Sequence, residues 1–151
     1  MRYWEDFQPG QVFNLGSCTV TRDEIIDFGR RWIPQPFHVD EHAARNSPFG
    51  GLVASGWHTA CIFMRLYYDH LLAGAASMGS PGVQDLRWTA PVRPGDVLHA
   101  SATVLRTTES ATRADRGTVE MRWECVKADG TVVLRMTGTA YFARRGRRED
   151  A

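Results

Sequence analysis

Two places in this chain carry residue types and spacing that could do chemistry. His38 follows the stiff run Pro34-Gln35-Pro36-Phe37, and an imidazole fixed beside rigid backbone is suited to moving a proton near neutral pH. Further along, Ser55-Gly56 opens a long apolar stretch. Serine is a good N-cap, and the unpaired amides and positive dipole end of a buried helix can hold a developing oxyanion. Taken alone each feature has an ordinary reading, as a structural histidine and as a capped helix start. Asp69-His70 and His42 supply no pair of histidines at metal-binding spacing with a third ligand near, so no metal is expected. No nucleophile elbow or phosphate-cradling glycine motif occurs.

The elements that must position these residues follow from pattern. Phe7 to Val20 reads as a Pro9-Gly10 turn and then a strand without clean alternation. Thr21 with Glu24 forms a capping box for a helix that stops near Trp32, because Pro34 disfavours helix in the residue before it. Pro34 to Phe37 is expected to be irregular, and Asp40 to Asn46 a short helix closed by the turn Ser47-Pro48-Phe49-Gly50-Gly51. Ser55 to Ala73 is apolar on nearly all sides, which predicts a helix buried around most of its circumference, with His58, Arg65 and Asp69 as its exposed edge. Gly74 to Gly82 is small and turn-rich, a candidate mobile loop.

Four strand candidates follow: Val83 to Thr89, Val97 to Thr107, Thr118 to Lys127 and Val132 to Ala143. Val119, Met121, Trp123 and Cys125 share one face of the third, and Val132, Leu134, Met136, Ala140 and Phe142 one face of the fourth. Ala128-Asp129-Gly130 between them is a hairpin turn. A helix so apolar must be wrapped, and a curved antiparallel sheet of about five strands is the available wrapper: an α+β domain over residues 1–143, followed by a charged, frayed tail over 144–151.

Composition bounds the partners. The 18 Lys+Arg against 17 Asp+Glu give a net charge of +1, no global reason to bind nucleic acid or an anionic membrane, so Arg144, Arg145, Arg147 and Arg148 read as solubilising. Cys18, Cys61 and Cys125 are odd in number and scattered, which fits a reducing cytoplasm. Met1 to Gly10 has no apolar run of a secretory signal, and Leu52 to Leu72 is too broken by charge to span a membrane.

The motif Pro34-Gln35-Pro36-Phe37-His38-Val39-Asp40-Glu41, then Ala43-Ala44, then Ser47-Pro48-Phe49-Gly50-Gly51-Leu52-Val53-Ala54-Ser55-Gly56 resembles the signature of the MaoC-like dehydratases and (R)-specific enoyl-CoA hydratases. Leu86-Arg87-Trp88-Thr89-Ala90-Pro91-Val92-Arg93-Pro94-Gly95-Asp96 and the opening Phe7-Gln8-Pro9-Gly10 extend the likeness over nearly the whole chain. The resemblance implies a hot-dog fold that pairs edge to edge as a homodimer, and addition of water to a 2-enoyl thioester. By position His38 matches the family's catalytic histidine and Gly56 its oxyanion amide, with substrate against Gln35, Ser55, Gly56 and Trp57. Arg87 and Arg93 are candidates for phosphate contacts.

No cofactor is implied beyond the CoA or acyl-carrier thioester of the substrate itself. The family's catalytic aspartate, five residues before the histidine, is Ile33 here. Asp27, Asp40 and Glu41 are the carboxylates that could replace it, and Ile33→Asp should raise hydration if the site is otherwise intact. Three readings stay open: a hydratase/dehydratase, an acyl-CoA thioesterase, and a non-catalytic acyl-thioester-binding protein.

Overall fold

The computed structural model describes residues 1–146. Strand β1 (Val12–Thr19) is followed by helices α1 (Arg22–Trp32), α2 (Pro36–Val39), α3 (Glu41–Arg45) and α4 (Gly56–His70), then strands β2 (Gly82–Arg87), β3 (Val97–Glu109), β4 (Arg116–Lys127) and β5 (Val132–Ala143). The strands form one antiparallel sheet in the order β1-β3-β4-β5-β2. Its core face follows the alternation read from the sequence at Val119, Met121, Trp123 and Cys125 of β4 and at Leu134, Met136, Ala140 and Phe142 of β5, all buried; Val132, read onto the same face, is half-buried, and Val133 is buried instead, beside a register shift in the β4–β5 pairing. Trp123 lies over Gly138, where a side chain would collide with its ring, and packs against Phe63 and Tyr67 of α4. That stack seats the central helix on the sheet.

Two irregular strands are explained by backbone. Gly16 takes φ +79° at a register shift between Asn14 and Ser17, a bulge that breaks the period of two in β1. The edge strand β2 is exposed, its register shifts between Gln84 and Arg87, and Asp85 sits at φ +52°. A bulge on an edge discourages uncontrolled pairing.

Four expectations are corrected. Pro36 and Phe37 are not irregular: Pro36 is the first residue of α2, where its missing N–H costs nothing because that amide has no partner within a helix. Helix α4 is not wrapped all round, since one sheet covers one side only, and Trp57, Cys61, Met64, Arg65 and Tyr68 stand exposed at helical spacing. Nor does Gly74 to Gly82 run free: Ala76 donates to Arg2 and Met78 to Tyr141, each at 2.8 Å. At the C-terminus, Arg144 pairs with Glu5 and Glu109, and Arg145 with Asp6, so these two residues are docked. The rest of the expected tail, 147–151, lies outside the described residues. Among those described, no helix is long and apolar enough to cross a membrane.

Candidate active site

His38 is held by three short elements that lock one another. The Thr21–Glu24 capping box starts α1, with both of its hydrogen bonds at 3.2 Å. Gly29 then lets α1 approach α2 so closely that a side chain there would press on Val39 and on the backbone of His38. Asp40 ends α2 and caps α3 through the Ala43 amide at 3.0 Å, a bond that holds the Asp40 carboxyl below its ordinary range. On the other side, Val53 donates its amide to the Phe37 carbonyl at 3.1 Å.

The result is a buried imidazole with one nitrogen committed. His38 Nδ1 lies 2.6 Å from the Val53 carbonyl oxygen. A carbonyl can only accept, so Nδ1 carries the proton and Nε2 of the neutral ring is left with its lone pair. Fixing one nitrogen in this way orients the other for proton transfer.

His38 borders a cavity of about 450 Å³ together with Gln35, Phe49, Gly56, Thr59 and Trp88. Ser55 caps α4 by accepting from the Trp57 amide at 3.2 Å, and the Gly56 amide has no acceptor among the described residues. The sequence suggested that Gly56 leaves this helix start sterically open. Instead the Trp88 indole occupies the space a side chain would fill, so the glycine lets an aromatic roof close over the first turn.

Several expected residues stand elsewhere. Trp57 meets Trp88 edge-on, with ring centroids 5.1 Å apart, but is 56% exposed and borders a neighbouring hollow with Ile33. Arg93 is committed to the Phe49 carbonyl and steadies the turn that brings Phe49 to the cavity, while Arg87 is exposed on β2. Among the described residues, no lysine or arginine borders the His38 cavity. The three replacement carboxylates are also engaged or distant. Asp40 caps α3, Glu41 pairs with Arg22 at 3.0 Å, and Asp27 borders a different hollow between α1 and α4.

His58 is the largest correction. It does not share an exposed edge with Arg65 and Asp69, which pair with each other at 2.8 Å; it is only 7% exposed and stacks on Phe28, centroids 4.8 Å apart and 9° between planes. Burial pushes its pKa below the ordinary histidine value. Sequence reading also missed Phe49, Thr59 and Trp88. An aromatic just before Ala90-Pro91 and another inside a Pro-Gly turn were the available signals.

The chain is similar to known proteins over most of its length. Residues 6–124 match the model of the MaoC like domain. The chain is 27% identical over 146 residues to an (R)-specific enoyl-CoA hydratase of Rhodospirillum rubrum, covering 97% of this chain and 95% of that protein. The crystal structure of a MaoC-like dehydratase from Rhodospirillum rubrum superposes with a TM-score of 0.88 at 42% identity, covering 95% of this chain and 98% of that one. A Mycobacterium tuberculosis protein with a double hot-dog fold superposes with a TM-score of 0.79 at 17% identity, covering 99% of this chain and 46% of that one, a likeness of fold alone.

Proposed function

The chain belongs to the MaoC-like domain family, and from that premise we propose that it binds an acyl thioester in the His38 cavity and reversibly adds water to a 2-enoyl group. The thioester oxygen rests at the Gly56 amide, where the helix dipole and the free N–H stabilise the negative charge that builds on that oxygen. His38 Nε2 takes a proton from water as the water oxygen bonds to C3, and the electron pair of the double bond shifts toward the thioester. The imidazolium then returns the proton to C2. Dehydration is the reverse.

The observation that carries this reading is the Nδ1 contact of 2.6 Å to Val53, which leaves His38 as a base in the wall shared with Gly56. Ile33 sets its scale. A single acid/base group typically contributes about two to four orders of magnitude, so turnover with the imidazole alone is slow. The same substitution, with no carboxylate among the described residues bordering the cavity, favours a second reading: a protein that binds the thioester without converting it.

Crotonyl-CoA decides between them. Loss of the enoyl absorbance without thiol release is hydration, thiol release is hydrolysis, and binding with neither is the second reading. We further propose a homodimer through β2, an edge strand that among the described strands pairs with β5 alone, in a cytoplasmic setting consistent with three free cysteines. Sedimentation of the intact chain tests the oligomer.

A further inference from the structure

A second hollow, of about 500 Å³, lies between α1 and α4. Phe28 and Trp32 of α1 and Cys61, Ile62 and Leu66 of α4 make its wall, with Asp27, Arg31 and Arg65 among its charged members. It shares Phe28, Trp32 and Cys61 with the hollow bordered by Ile33 and Trp57, so the two form one groove along the helices. Trp57 in turn touches Trp88, which borders the His38 cavity. Trp57 and Ile33 thus stand between the Trp88 side of the His38 cavity and the groove, whose charged members Glu24, Asp27, Arg31 and Arg65 lie farther along, and Ile33, unlike an aspartate, adds no charge at the near end.

One group in this groove is out of keeping with the rest. His58 borders it, nine-tenths buried, with Nδ1 closed to solvent and without a partner among the described residues. Stacking on Phe28 fixes the ring and burial favours its neutral form; with Nδ1 closed off, a ligand can meet the ring only through its other nitrogen, which donates or accepts one hydrogen bond according to the tautomer. A buried polar group without a partner is costly, and a site built around one discriminates between a ligand that satisfies it and one that does not.

We propose that the α1–α4 groove receives the chain of the acyl thioester and that His58 selects chains bearing a hydroxyl or oxo oxygen along their length. This rests on the thioester reading above, which fixes only the head of the ligand. Selection by His58 is a separate property of this sequence.

Cys61 reports on the groove because it is exposed there, whereas the Cys125 thiol is buried and pushed up to about 12. Iodoacetamide labelling of Cys61, followed by peptide mass spectrometry, is measured on the full chain under saturating crotonyl-CoA, decanoyl-CoA and the 6-, 8- and 10-hydroxydecanoyl-CoA isomers. The long thioesters should slow labelling several-fold and crotonyl-CoA should not. At least one hydroxylated isomer should bind about tenfold tighter than decanoyl-CoA, the scale of one hydrogen bond. That preference should vanish in His58→Leu and survive in part in His58→Gln, which retains a donor and an acceptor.

If thioesters bind but chain length leaves Cys61 labelling unchanged, the groove is not the chain's path and the proposal fails while the thioester reading stands. Equal binding of hydroxylated and plain chains by the parent protein removes His58 as the selector. Binding of none of the thioesters overturns the underlying reading as well.

Discussion

His38 and His58 are both buried, yet the protein has built opposite surroundings for them. His38 stands on a one-turn helix tied to its neighbours, donates a hydrogen bond from Nδ1 to the Val53 carbonyl, and borders a cavity also lined by Gly56, whose amide has no acceptor among the described residues. His58 stands inside the long helix, pressed flat on Phe28, and its Nδ1 has no partner among the described residues. Burial alone therefore says little about what a histidine does. The difference lies in whether a fixed acceptor defines one nitrogen and frees the other, as general base chemistry requires.

The largest effect that would break this contrast is at His38. His38→Gln should lower hydration of crotonyl-CoA by about two to four orders of magnitude, with unchanged circular dichroism. A rate within threefold of the parent would remove the imidazole from the chemistry. Next is Gly56→Ala, whose added carbon would collide with the Trp88 ring. Overpacking of this kind costs about 1–3 kcal/mol, which urea unfolding should register together with weaker thioester binding.

A smaller change sharpens the relation between the two compartments. Ile33 borders the groove beside Trp57 and not the cavity wall, so Ile33→Asp should raise hydration by about tenfold, short of what one well-placed acid/base group supplies. No gain in a folded variant that still binds thioesters would separate groove from reacting carbons.

The smallest effect concerns pH. Burial is the first cause that lowers the His58 pKa below 6.5. The unfolded chain then binds more protons than the folded one between the two values. Stability contributed by the neutral ring is full above about pH 6.5 and falls as pH drops toward the folded value. His58→Leu should flatten the urea midpoint measured from pH 7.5 down to 5.5, and a profile identical to the parent's would discharge His58 from that role.

Much of the site was legible because its signals are local. The serine cap before Gly56 and the Thr21–Glu24 box act within a few residues, and each appears where the pattern placed it; the prolines before His38 were read as breaking a helix, whereas Pro36 starts one. The faces of β4 and β5 were legible for the same reason, since a strand's period of two is written in consecutive residues. His58 was misplaced because helical spacing gives the angle of a residue around α4 but not what covers that angle. Arg93 was misjudged because an arginine's charge does not reveal a carbonyl contributed by a turn far away in the chain.

By itself, then, the sequence determined the strands, the caps, the nearly all-apolar central helix and the separation of one conspicuous histidine from one glycine-opened helix start, all of them consequences of backbone preference and short-range periodicity. Only tertiary structure decided which side of that helix the sheet would cover, that the Trp88 ring would fill the space beside Gly56, and that His58 would be sealed without a partner. Those outcomes depend on close packing between segments distant along the chain, where the shape and position of the neighbour, rather than the residue's own type, fix the environment.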